Sequence, residues 1–151
     1  MSRRDARRHA FHLVFQIPFF SNITVEILAE AKAWYYEGLG DESGVLLQKP
    51  SGKDADYVDR AVWGVLENLT QIDGVIDRFL RGWEISRINK VDLGLMRLAI
   101  YEMLCEKDVP LGAAVNEAIE IAKEYGSDES PAFVNGVLGN VARAIEEGKY
   151  A

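Results

Sequence analysis

Hydrophobic positions recur at helical spacing along most of this chain, and in one stretch they occupy every side. Between Val91 and Leu104 the run VDLGLMRLAIYEML places Val91, Leu93, Leu95, Met96, Leu98, Ala99, Ile100, Tyr101, Met103 and Leu104 all round a helix. No surface orientation hides them all, so this helix is expected in the middle of the fold. The other segments are amphipathic. Ala6, Ala10, Leu13, Val14 and Ile17 form one stripe, and Val58, Val62, Val65, Leu66, Leu69, Ile72, Ile76, Phe79 and Leu80 form a longer one. Two more follow, one through Val115, Ala118, Ile119 and Ala122, the other through Val134, Val137, Leu138, Val141, Ala142 and Ile145. A helix is also expected from Asn22 or Thr24 through EILAEAKAWYY to Gly38. No useful stretch alternates with a period of two, so the expected class is all-α, six or seven helices in a single domain over residues 1–151.

Punctuation agrees with the periodicity. Ser2, with Asp5 three residues on, suits the cap of the first helix, and Pro18 stops it. Asn89 and Asp92 suit the start of the central helix, Gly126 the end of the next, and Ser130-Pro131 the start of the last. Gly64 and Gly74 weaken the long third helix, which is expected to bend or break. The stretch GLGDESGVLLQKPSGKD reads as a loop; its Gly52-Lys53 pair lacks the spacing of a phosphate-binding loop. Arg97 and Glu102 lie inside the apolar run, where an unpaired charge is costly, so each is expected to be paired.

Composition narrows the function classes. A hydrophobic share of 48% with 27% charged residues is globular rather than disordered or membrane-spanning. Four arginines precede the apolar FHLVFQIPFF, the order of a signal peptide, but that run is short and holds His12, Gln16 and Pro18 with no small-residue cleavage site after it. It reads as part of the fold. The single cysteine, Cys105, excludes an internal disulfide and fits a reducing cytoplasm. Glu117, Glu120 and Glu124 cluster on one helix face, yet the only histidines, His9 and His12, lie elsewhere, so no metal or other cofactor is expected.

The charge is unevenly spread. The chain carries a formal −7, while residues 1–12 carry +3 from Arg3, Arg4, Arg7 and Arg8 against Asp5, leaving −10 on the rest. On the first helix the arginines form a stripe beside the apolar one, continued by Phe11 and Phe15. Guanidinium groups with aromatic neighbours suit single-stranded RNA, binding phosphates and stacking on bases. The plainer alternative is a solvated charge run next to core phenylalanines.

The opening RRDARRHAFHLVFQ and the ordered series MRLAIYEML, DVPLGAAVNEAIEIAKEYG and SPAFVNGVLGN, over residues 96 to 140, resemble the NusB family of bacterial transcription antitermination factors. That resemblance implies two packed three-helix subdomains around a buried central helix. It implies a non-enzymatic protein that binds the single-stranded boxA element of nascent ribosomal RNA together with NusE, a small-subunit ribosomal protein, within an RNA polymerase antitermination complex. It also admits a homodimer. Carried onto this chain, RNA contacts fall on Arg3, Arg4, Arg7 and Arg8, and on Tyr125, Ser130 and Phe133 near the turn before the last helix. Phe15, where the family usually has tyrosine, and Asp92, expected exposed at a helix start, fall in the partner contact. The same fold serves as an accessory domain in certain ribosomal RNA cytosine methyltransferases, but no cofactor loop or catalytic cysteine arrangement accompanies it here. A helical protein-interaction module without RNA binding is the other alternative.

Overall fold

The computed structural model describes residues 1–17, 23–40 and 48–149. The described residues form seven α-helices: α1 (Arg3–Phe15), α2 (Val25–Glu37), α3 (Gly52–Glu67), α4 (Leu69–Arg78), α5 (Lys90–Cys105), α6 (Leu111–Tyr125) and α7 (Ser130–Glu146). Short 3-10 turns follow α2 at Gly38–Gly40 and precede α5 at Ile85–Arg87. No strand occurs among the described residues, and the class is all-α as the periodicity predicts. Pro18 and residues 41–47 of the loop expected before α3 lie outside the described residues.

The chain divides into two compact units, Met1–Val62 and Trp63–Ala151. In the first, Ser2 accepts a hydrogen bond from the Asp5 amide at 3.1 Å and starts α1, while Thr24 accepts one from Ile27 at 3.2 Å and starts α2. The predicted stripe of α1 is buried at Ala6, Ala10, Leu13, Val14 and Ile17. Helix α2 buries no residue fully and leaves Val25 and Trp34 exposed. A salt bridge of 2.9 Å from Lys32 to Asp59 ties it to α3.

In the second unit α5 is buried without interruption from Asp92 to Met103, covered by α4, α6 and α7. Asn89 starts it by accepting from the Val91 amide at 2.8 Å. Arg97 meets Asp73 of α4 through two hydrogen bonds of 2.8 Å each, a fork-to-carboxylate pairing that satisfies the guanidinium within the core. Glu102, at 2% exposure, is not left without a partner either. The Tyr101 hydroxyl donates to Glu106 at 2.8 Å just beyond the helix end.

The third predicted helix does break, but at Asn68 rather than at either glycine. The Asn68 side-chain amide donates to the Gly64 carbonyl at 2.8 Å, competing with the helical ladder as short polar side chains do. Gly64 has a packing role instead: a Cβ there would lie 2.0 Å from Cε1 of the buried Tyr101 ring. The start of the last helix also differs from expectation. Ser130 is its first residue rather than its cap, and its Oγ accepts from the Ser127 amide at 3.0 Å, closing the preceding turn. Gly126 does end α6, with φ at −92°, so close approach rather than left-handed backbone explains the glycine. A Cβ there would come within 2.5 Å of Ser130 Cβ and Oγ.

Substituting the two glycines of the α3–α4 region should therefore give opposite signs. Gly64→Ala overpacks against Tyr101 and is expected to cost about 1–3 kcal/mol, outweighing the better helix propensity of alanine. Gly74→Ala, with nothing within 4 Å of the new methyl, is expected to raise stability by about 0.5–1 kcal/mol. Urea unfolding of both variants checks this, and shifts of the same sign would refute the packing role.

Candidate nucleic-acid interface

Helix α1 presents its arginines unequally. Arg3 and Arg4 are exposed, Arg8 is half-buried, and Arg7 keeps only 8% of its surface. The Arg3 guanidinium lies 4.3 Å from the centre of the Tyr57 ring, with Arg60 at 5.9 Å from the same ring. Arg8 bonds Asp5 at 2.5 Å. Burial alone would raise the Asp5 carboxyl, but hydrogen bonding with Ser2 and the Arg8 charge outweigh it and hold the carboxyl below its usual range. Arg7, expected among the phosphate-binding residues, is corrected to a buried side chain that is already engaged.

The aromatic end of α1 also turns inward. Phe11 is 2% exposed and belongs to the core, not to the arginine face, while Phe15 is half-buried with its ring centre 6.1 Å from that of Phe11. The fully buried His9 joins three segments. Its Nε2 lies 2.9 Å from the Gln48 carbonyl, which can only accept, so Nε2 carries the proton and Nδ1 accepts from the Tyr35 hydroxyl at 2.7 Å. His12 stacks on Tyr35 with ring centres 5.8 Å apart. Burial lowers His9 despite the Gln48 bond, and burial together with neighbouring His9 pushes His12 down to about 4. An open cleft of 560 Å³ lies beside Tyr35, lined also by Trp34, Glu37, Gly38 and Leu39.

The remaining expected residues lie in the second unit. Tyr125 ends α6 and Phe133 sits in the first turn of α7, both half-buried. Ser130, between them in sequence, is fully buried, which corrects its expected contact with RNA to a structural role. Asp92 is corrected as well: expected exposed, it is 6% exposed. Burial raises its carboxyl above the usual range, partly offset by a hydrogen bond with Ser130, and its Oδ1 has no hydrogen-bond partner among the described residues. The fold thus brings Asp92 and Ser130 together across α5 and α7, a pairing that their separation in sequence conceals. Asp128 and Glu129 stay exposed beside them in the chain. Among the described residues no group of three His, Cys, Asp or Glu side chains is placed to hold a metal ion, and no helix is long and apolar enough to cross a membrane.

Comparison with known proteins identifies the family. The family model described as NusB family matches residues 4–143. The transcription antitermination protein NusB of Acetivibrio thermocellus is 38% identical over 143 residues, covering 95% of this chain and 90% of that protein. Its counterpart from Agathobacter rectalis is 39% identical over 142 residues, covering 94% and 100%. Among solved structures, T. maritima NusB superposes with a TM-score of 0.75 at 36% identity, covering 95% of this chain and 92% of the other. A crystal structure of antitermination factors NusB and NusE in complex with dsRNA superposes with a TM-score of 0.75 at 21% identity, covering 94% and 96%, a likeness of fold.

The two histidines of α1 set an acid sensitivity. Both have folded-state values below the ordinary 6.5, so between pH 6.5 and about 4 the unfolded chain binds more protons than the folded one. Their contribution is complete above pH 6.5 and is lost as the pH falls. The urea midpoint should drop from pH 6.5 to pH 5, above the ordinary carboxylate range, and His12→Phe, which keeps an aromatic ring against Tyr35, should flatten that drop. A midpoint constant across this interval would contradict the assignment.

Proposed function

The chain belongs to the NusB family, and on that premise we propose that it is a non-enzymatic transcription antitermination factor acting as an adaptor between RNA and protein. Its ligands on this reading are a single-stranded boxA element of nascent ribosomal RNA and NusE, and it works in the cytoplasm within an RNA polymerase complex. The observation that carries the reading is the charge division on a capped helix. Residues 1–12 hold +3 in a chain of −7, and Arg3 and Arg4 face solvent on α1. A polyanion has a local site there, while the acidic remainder suits a basic ribosomal protein.

Arg3, Arg4 and Arg8 are assigned to phosphates, and the half-buried Tyr125 and Phe133 of the second unit to bases. Arg7 is buried and is left out of this assignment. Phe15 and Asp92 are assigned to NusE. For Asp92 the supporting feature is no longer exposure but the buried Oδ1 that lacks a donor among the described residues, since a cationic or amide donor from a partner would relieve its desolvation. The missing hydroxyl at Phe15 leaves a packing contact at that place.

Three phosphate contacts on α1 contribute about −2 to the slope of log K against log salt, from about 0.7 per contact on single strands. Fluorescence anisotropy of labelled boxA RNA, with and without NusE, measures it. NusE is expected to tighten binding, and the double substitution Arg4→Ala with Arg8→Ala to weaken it at least about tenfold and make the slope shallower by about 1.4. Binding indifferent to both NusE and these arginines would remove the RNA assignment.

A further inference from the structure

The turn between α4 and α5 holds a second basic island. Residues 78–90, RFLRGWEISRINK, carry a formal +3 from Arg78, Arg81, Arg87 and Lys90 against Glu84, the same as the N-terminal helix, in a chain that is otherwise strongly acidic. All five of these side chains are exposed. In their midst Trp83 leaves 61% of its surface in water.

The backbone holds it there. Leu80 and Ile88 are buried at 3% and 6% and anchor the two ends of the turn. Between them Arg81 has φ at +47° and Gly82 at +92°, two successive left-handed residues, the first a side chain that rarely adopts such a conformation. The Trp83 amide donates to the Leu80 carbonyl at 3.3 Å, closing the turn. Strain of this kind persists where the surrounding structure enforces it, and it gathers at ligand sites. An indole held out of the core by a strained turn, with cations on both sides in sequence, has the composition of a base-stacking platform.

The other exposed tryptophan supplies a contrast. Trp34, at 75% exposure, has Glu30 and Glu37 one helical turn away on either side. Those surroundings repel a polyanion, whereas those of Trp83 attract one.

We propose that the Leu80–Ile88 turn is a single-stranded RNA contact in which Trp83 stacks on an unpaired base and Arg81, Arg87 and Lys90 hold flanking phosphates. Arg87 lies 3.9 Å from Glu84, a solvated pair that a phosphate can displace. The inference rests on the RNA-binding reading above and extends it to a surface in the second unit.

The test uses the full chain and the same labelled boxA RNA, read by anisotropy and by intrinsic tryptophan fluorescence, with melting curves for each variant. Trp83→Ala should weaken binding by about tenfold, Trp83→Phe should retain most affinity but lose the RNA-induced quenching, and Trp34→Ala should change neither. Arg81→Asn keeps a residue that tolerates left-handed backbone and should make the salt slope shallower by about 0.7. Wild-type binding that depends on Arg4 and Arg8 but is unchanged by Trp83→Ala and Arg81→Asn overturns this inference alone. It is overturned equally if, in that case, the turn proves to bind an acidic protein instead. A wild-type chain that binds no RNA overturns both this inference and the reading beneath it.

Discussion

Helix α5 cannot exist in water as it stands, and the second unit is the solution to that constraint. Each of its larger apolar side chains gains on the order of 1.5–3 kcal/mol by burial, and they point in all directions. One neighbour would cover one face only. Three helices therefore close on it, α4 from the chain before it and α6 and α7 from the chain after it. The polar groups along its middle and end are then satisfied inside the package. Arg97 takes both carboxylate oxygens of Asp73, and Tyr101 reaches Glu106 once its ring has occupied the space left by Gly64.

The same closure explains the tight corner where α6 turns into α7. Gly126 has no side chain because Ser130 occupies that space, and Ser130 holds the Ser127 amide. Asp92 is drawn into the same corner because the first turn of α5 lies under α7. A carboxylate there carries a desolvation cost that Ser130 only partly offsets. Such a group is a poor choice for stability alone, which is why a partner's donor is a natural complement to it.

Periodicity and caps made most of the fold legible. The helix phases, the all-round burial of α5, and the starts of α1, α2 and α5 at Ser2, Thr24 and Asn89 all follow from local chemistry. What escaped depends on contacts between distant residues. Gly64 looked like a weak point because propensity is local, whereas the Tyr101 ring that requires it lies far along the chain. Ser130 looked like a cap because Ser-Pro suits one, yet its hydroxyl went to the turn behind it. At the candidate site the arginine-rich face was legible as charge, but a helical wheel gives angles and not neighbours. It could not separate the exposed Arg4 from the buried Arg7, although the alternative of core phenylalanines holds for Phe11. The pair Arg81-Gly82 gave no sign in the pattern that its backbone would be left-handed at an arginine.

The way the α1 arginines are held bears on how strongly such a face can bind. A guanidinium already resting on Tyr57 loses little rotamer freedom when a phosphate arrives, so on the proposed reading Arg3 is prepared for one. Arg8 has the opposite balance, because a phosphate must compete with Asp5 for it. Beyond the first twelve residues the formal charge of −10 repels a polyanion at long range while attracting a basic protein. On the proposed reading these opposing terms leave the RNA affinity of the chain alone modest. A basic partner that neutralises part of the acidic surface then raises it, and by linkage the RNA raises the affinity for the partner by the same factor. The adaptor role follows from that reciprocity: neither ligand needs to bind tightly for the pair to hold together.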